Sequence, residues 1–135
     1  MGEGEEMMKL EEQVVSLDLA KALKEAGYLQ QGLWWWVLNK DNEYDLWSYR
    51  KLTVPKKVTA IVAPTAAEIL EDLPHIIEKI FILRIWKNEN GYFLDYFNAY
   101  TDKPYSMAGY SNSSGRTLSN ALALMWLYLK KEGLI

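Results

Sequence analysis

Histidine occurs once in this chain, at His75, directly after Pro74. A lone imidazole serves as general base or metal ligand only where other polar groups are set around it. There is no cysteine, so thiolate nucleophiles, disulfides and cysteine metal sites are excluded. No His/Cys or His/carboxylate cluster has metal-ligand spacing, and no G-x-S-x-G turn occurs. His75 therefore reads as a surface or satisfied core residue. Asp41, Glu43 and Asp45 put three carboxylates at alternate positions, a donor set that could face a divalent cation. The stretch lacks the sixth-position glycine and twelfth-position glutamate of an EF-hand loop, and reads as a solvated turn. With no visible nucleophile–base set, the chain is not expected to be an enzyme, and no cofactor or metal is expected.

Two further stretches could bind rather than react. Gly109 to Thr117 (G-Y-S-N-S-S-G-R-T) is a Gly/Ser-rich loop feeding a helix. Free backbone N–H groups there, with Arg116 beside them, suit a small anion. The candidate anion contacts are Ser113, Ser114, Gly115, Arg116 and Thr117. The spacing is not that of a P-loop: five residues separate the glycines and Arg replaces Lys. The second feature is aromatic. Six Trp and nine Tyr occur in 135 residues, and Trp34, Trp35, Trp36, Trp47, Tyr49, Trp86, Tyr92, Tyr96 and Tyr100 fall on predicted strands. Alternation prevents all of them from facing one core. Exposed Trp and Tyr favour protein recognition, because they bury large area with few rotors. Trp34, Trp36, Trp47 and Tyr49 are the candidate partner-binding residues. Arg50, Lys51, Lys56 and Lys57 could add a single-strand nucleic-acid platform. The net charge of −3 argues against that partner.

These residues must be positioned by one domain's worth of chain. Half the residues are hydrophobic, enough for a packed core without staples. Residues 1–13 (M-G-E-G-E-E-M-M-K-L-E-E-Q) read as a mobile acidic lead-in, and 14–135 as a single globular domain. The lead-in has acidic residues where a signal peptide needs basic ones. The longest apolar run is the nine residues Ala121–Leu129, and a membrane span needs about 20. The expected setting is the cytoplasm, with no membrane partner.

The last twenty residues organise the fold. Thr117 can cap a helix through the N–H of Asn120, Lys130 and Lys131 suit its last turn, and Gly133 can end it. Apolar on nearly every side, this helix must be enclosed by a sheet and a neighbouring element. Earlier, Ser16 is a candidate cap for a helix ending at Gly27, with Tyr28 packing back on Leu23. Leu33–Leu38 and Leu46–Arg50 read as a hairpin around the loop Asn39–Asp45, and Val58–Val62 as a third strand. Thr65 and Glu68 form a capping box for a helix that stops before Pro74. Ile80–Lys87 and Tyr92–Tyr100 flank Asn90-Gly91, a hairpin signal that sets Glu89 opposite Tyr92 and makes Arg84 and Asp95 diagonal neighbours. The expected fold is α+β: an antiparallel sheet of about five strands with three helices, the C-terminal helix packed across one face.

Three stretches carry a resemblance: Ser16–Gly27 (S-L-D-L-A-K-A-L-K-E-A-G), Ala63–Pro74 (A-P-T-A-A-E-I-L-E-D-L-P) and Asn120–Gly133 (N-A-L-A-L-M-W-L-Y-L-K-K-E-G). Their layout resembles a group of small uncharacterised proteins encoded in bacteriophage and prophage genomes. The resemblance rests on capping and core residues, implies a phage-accessory context in a bacterial host cell, and carries over no site residue. The expected function is a non-enzymatic protein-interaction module, with a protein partner or a homo-oligomer. The alternative is a small-ligand or anion binder using the Gly/Ser-rich loop.

Overall fold

The computed structural model describes residues 9–48, 59–105 and 112–135. The elements run α1 (Leu10–Gln13), α2 (Leu17–Glu25), β1 (Trp34–Leu38), β2 (Tyr44–Ser48), β3 (Ala60–Val62), α3 (Ala66–Asp72), β4 (Ile76–Ile77), β5 (Phe81–Asn88), β6 (Gly91–Asn98), β7 (Asn112–Gly115) and α4 (Leu118–Lys131). The class is α+β, and every strand pair is antiparallel. The strands form two sheets, ordered β2-β1-β3 and β4-β5-β6-β7, rather than one sheet of about five. The chain leaves the first sheet at Pro64, which has no N–H to continue a ladder, and turns into α3. The strands missing from the sequence reading are β4, only two residues long, and β7, the Asn-Ser-Ser-Gly of the presumed loop. β4 is β-branched but too short to mark a strand, and β7 is made of turn-type residues.

Capping chemistry fixes the helix ends. Thr65 and Glu68 form the expected capping box, and the Thr117 hydroxyl accepts from the Asn120 N–H at 3.2 Å. Gly27 (φ +96°) and Gly133 (φ +71°) end α2 and α4, with Tyr28 N–H donating to the Leu23 carbonyl and Leu134 N–H to that of Leu129. Ser16 makes no side-chain cap. Its N–H instead donates to Asn120 Oδ1 at 2.9 Å, and the Ser119 hydroxyl donates to the Gln13 carbonyl, tying the segment before α2 to α4.

The main core lies around α4. Ala121, Leu122, Ala123, Met125 and Leu129 are fully buried with Leu94 and Tyr96 of β6, Leu23 of α2 and Ile69 of α3. The helix packs on β6 and β7 and is flanked by α2 and α3, as a helix apolar almost all round requires. Gly115 makes the close approach possible, since a Cβ there would lie 2.9 Å from the Ala121 nitrogen.

Buried tyrosines tie this core to pH. Tyr96 donates to the Pro74 carbonyl at 2.7 Å, and burial pushes its phenol well above the usual range. Tyr28 shifts the same way, through burial first and then through its hydrogen bond to Asp72. A raised folded-state pKa contributes stability that is fully present below the unfolded tyrosine value of about 10 and is lost as pH rises past it. Chemical denaturation at about pH 8 and about pH 11 should therefore show a marked loss at the higher pH. Tyr96→Phe should shrink that loss while costing about 1–2 kcal/mol at neutral pH, because the Pro74 carbonyl loses its donor.

Candidate functional site

The first sheet places the tryptophans singled out by sequence. Trp36 is half-buried against the core, and its indole N–H donates to the Val15 carbonyl at 3.0 Å. Trp34 shares that face and is also half-buried, opposite Ser48. Trp47 lies on the other face with Trp35 and Val37 and is 37% exposed. Trp34 and Trp36 thus point away from Trp47, and do not combine with it into one surface. Tyr49, with Arg50, Lys51, Lys56 and Lys57, lies outside the described residues.

A different aromatic surface forms on the second sheet. Arg84 pairs directly with Asp95, Ile82 with Phe97 and Trp86 with Phe93. The turn residues are Glu89 and Asn90, one position earlier than expected, because Asn88 Oδ1 accepts the Asn90 N–H at 2.7 Å. The shift is one residue on each strand, so the faces are kept while Arg84 and Asp95 become opposite rather than diagonal. Alternation puts Leu94 and Tyr96 against α4 and sends Ile82, Arg84, Trp86, Phe93, Asp95 and Phe97 to the outer face. Ile82 and Trp86 stay more than a third exposed there.

The outer face is locked by the ion pairs of Arg84. Asp95 is 4% exposed and takes two hydrogen bonds from Arg84, Nε to Oδ1 at 3.0 Å and Nη2 to Oδ2 at 2.8 Å. Asp102 Oδ1 lies 3.5 Å from Nη1 of the same guanidinium. This fork fixes the cation between two rings, 4.5 Å from the centroid of Phe97 and 5.3 Å from that of Trp86. Trp86 in turn stacks on Phe93 with centroids 5.8 Å apart and planes 19° apart. Three aromatic rings and an arginine are therefore held in set positions on an open sheet face.

The remaining sequence candidates lie in the turn before β2 and at its start, beside β4, and in β7 with the start of α4. Asn39 organises the carboxylate turn: its Oδ1 accepts the N–H groups of Asp41 and Glu43, and its Nδ2 donates to Asp45. Among the described residues no group of His, Asp and Glu is placed to hold a metal ion. His75 is exposed, and its carbonyl accepts from Leu83 N–H. Ser113, Ser114 and Gly115 lie in β7, paired with Leu94, Phe93 and Tyr92, so this part of the presumed loop is a strand. Arg116 is exposed beside the Thr117 cap. No helix among the described residues is long and apolar enough to cross a membrane.

The grouping of this face is legible in the sequence. Ile82-x-Arg84-x-Trp86 and Phe93-x-Asp95-x-Phe97 alternate on either side of a hairpin signal, with one member of a charge pair at the centre of each run. No protein-family model, curated protein or solved structure matches the chain.

Proposed function

We propose that this chain is a non-enzymatic protein-interaction module that docks a protein partner, or a second copy of itself, through the outer face of the β4–β7 sheet. The supporting observation is the Trp86–Phe93 stack beside the Arg84 guanidinium, which Asp95 holds, with Trp86 exposed and Phe93 half-buried. Tryptophan and arginine dominate binding hot spots, and rings that are already fixed lose little entropy on docking. The sequence resemblance to phage and prophage proteins supports a phage-accessory role in the cytoplasm of a bacterial host.

Light scattering and a stoichiometric pull-down on the same purified sample test the reading. The wild type should form a defined homo-oligomer or retain one protein partner. Trp86→Ala and Phe93→Ala should each weaken that association by about thirtyfold, the effect of a hot spot of about 2 kcal/mol, with the circular dichroism unchanged. Trp47→Ala, on the first sheet, should have little effect. A monomer that retains nothing, or an association lost in Trp47→Ala and kept in Trp86→Ala, would overturn the proposal.

A further inference from the structure

A cleft of about 780 Å³ opens on the opposite side of the core, between α3, the end of α4 and the segment after α2. Its inner wall is aromatic. Tyr28 and Trp126 meet edge to face with centroids 5.1 Å apart, each less than a tenth exposed. Its outer wall is one side of α3, where Glu68, Glu71 and Asp72 fall at i, i+3 and i+4. Leu29 and Ile135 add apolar surface at the rim, and both are exposed.

The carboxylates differ in what they already hold. Glu68 is committed to the capping box and to the Leu33 N–H. Asp72 accepts the Tyr28 hydroxyl through Oδ2 at 2.7 Å. Glu71 is exposed and has no hydrogen bond or ion pair among the described residues. Lys130, the one cation among the described residues that line the cleft, sits with its Nζ 6.0 Å from the centre of the Trp126 ring. Three carboxylates against one ammonium leave the lining net negative. The negative charges of Asp72 and Glu68 also help hold the Tyr28 phenol in its protonated form.

We infer that this cleft binds an alkylammonium group: a positively charged amine on an aliphatic chain. An aromatic wall attracts a cation through the negative face of its rings, and carboxylates across the gap neutralise it. The apolar rim suits the methylene chain behind the charge. Lys130 Nζ stands over the Trp126 ring at 6.0 Å, so it competes with an incoming ammonium for that ring. The chemistry is shared by a free diamine or polyamine and by a lysine side chain of a peptide. The site is independent of the outer sheet face, so each can fail without the other.

The test is a titration of the intact chain followed by the indole N–H resonance of Trp126. The probes are 1,6-diaminohexane, Nα-acetyl-lysine amide and, as neutral control, 1,6-hexanediol. The diamine should give a saturable shift that the diol does not. Glu71→Gln should weaken binding about two- to fivefold, the usual weight of one solvent-exposed charge, and Lys130→Met should tighten it by a similar factor. Both positions are exposed, so neither change should unfold the protein. Saturation by both amines supports the site and points to a lysine side chain. Saturation by the diamine alone supports it and points to a free amine. No saturation by either amine, an equal response to the diol, or weaker binding in Lys130→Met would overturn the inference.

Discussion

Leu122→Ala should cost about 2–5 kcal/mol, a large share of the roughly 5–15 kcal/mol that holds a domain of this kind together. Leu122 is fully buried in α4, in the cluster where that helix meets both β6 and the flanking helices. Removing its side chain loses the transfer free energy of the missing carbons and leaves a cavity that the close-packed surroundings cannot fill. Leu124 provides the control. It lies on the same helix, two residues away, and is 37% exposed. Leucine and alanine have nearly equal helix propensity, so Leu124→Ala changes little but solvent-facing surface and should stay within about 0.5 kcal/mol. Urea denaturation reads both, and a shift in midpoint at constant slope identifies a change in stability. Equal losses in the two variants would mean that α4 presents a different face to the core.

The contrast between those leucines marks what could be read from sequence. Residues Ala121 to Leu129 are uniformly apolar, so periodicity alone could say that α4 is enclosed but not which side stays open. The ends were clearer, because Thr117, Gly27, Gly133 and the Thr65–Glu68 pair act through local chemistry that needs no tertiary contact. The Asn90-Gly91 signal marked a real hairpin but misplaced its turn by one residue, since the Asn88 side chain closes an alternative turn first. The division into two sheets was hidden. β4 and β7 form where β5 and β6 offer unpaired edges: Ile76-Ile77 is too short to mark a strand by itself, and Asn112–Gly115 has the composition of a turn.

The candidate surface shows the same limit. Three adjacent tryptophans, Trp34 to Trp36, drew attention by number, yet alternation splits them between two faces and a hydrogen bond draws Trp36 inward. The open surface comes from residues farther apart in sequence. Arg84 and Asp95 are eleven positions apart, and they act together because the hairpin register sets them opposite each other. The cleft on the other side is less legible still. Tyr28 and Trp126 are brought together by α4 packing beside α2, and no local pattern announces their contact.

Gly91→Ala should destabilise the fold by about 2–4 kcal/mol and loosen the outer face before the whole chain unfolds. Gly91 has φ +133°, a region that residues with a side chain rarely adopt. A Cβ there would also lie 2.5 Å from the Gly115 carbonyl oxygen of β7. β7 cannot simply retreat toward the helix, because Gly115 itself has no spare room against Ala121. The variant must therefore give up either the local turn or the β6–β7 pairing. Gly27→Ala separates the two effects. Gly27 has φ +96° with open space around it, so alanine there brings only backbone strain, about 1–2 kcal/mol. Amide exchange should show fast opening at the β6–β7 ladder in Gly91→Ala and not in Gly27→Ala. The Trp86–Phe93 pair sits two ladder positions from the Asn88–Gly91 closing pair. The association proposed for that stack should weaken in Gly91→Ala under conditions where the circular dichroism is still native. Unchanged association with an opened ladder would place the docking surface elsewhere.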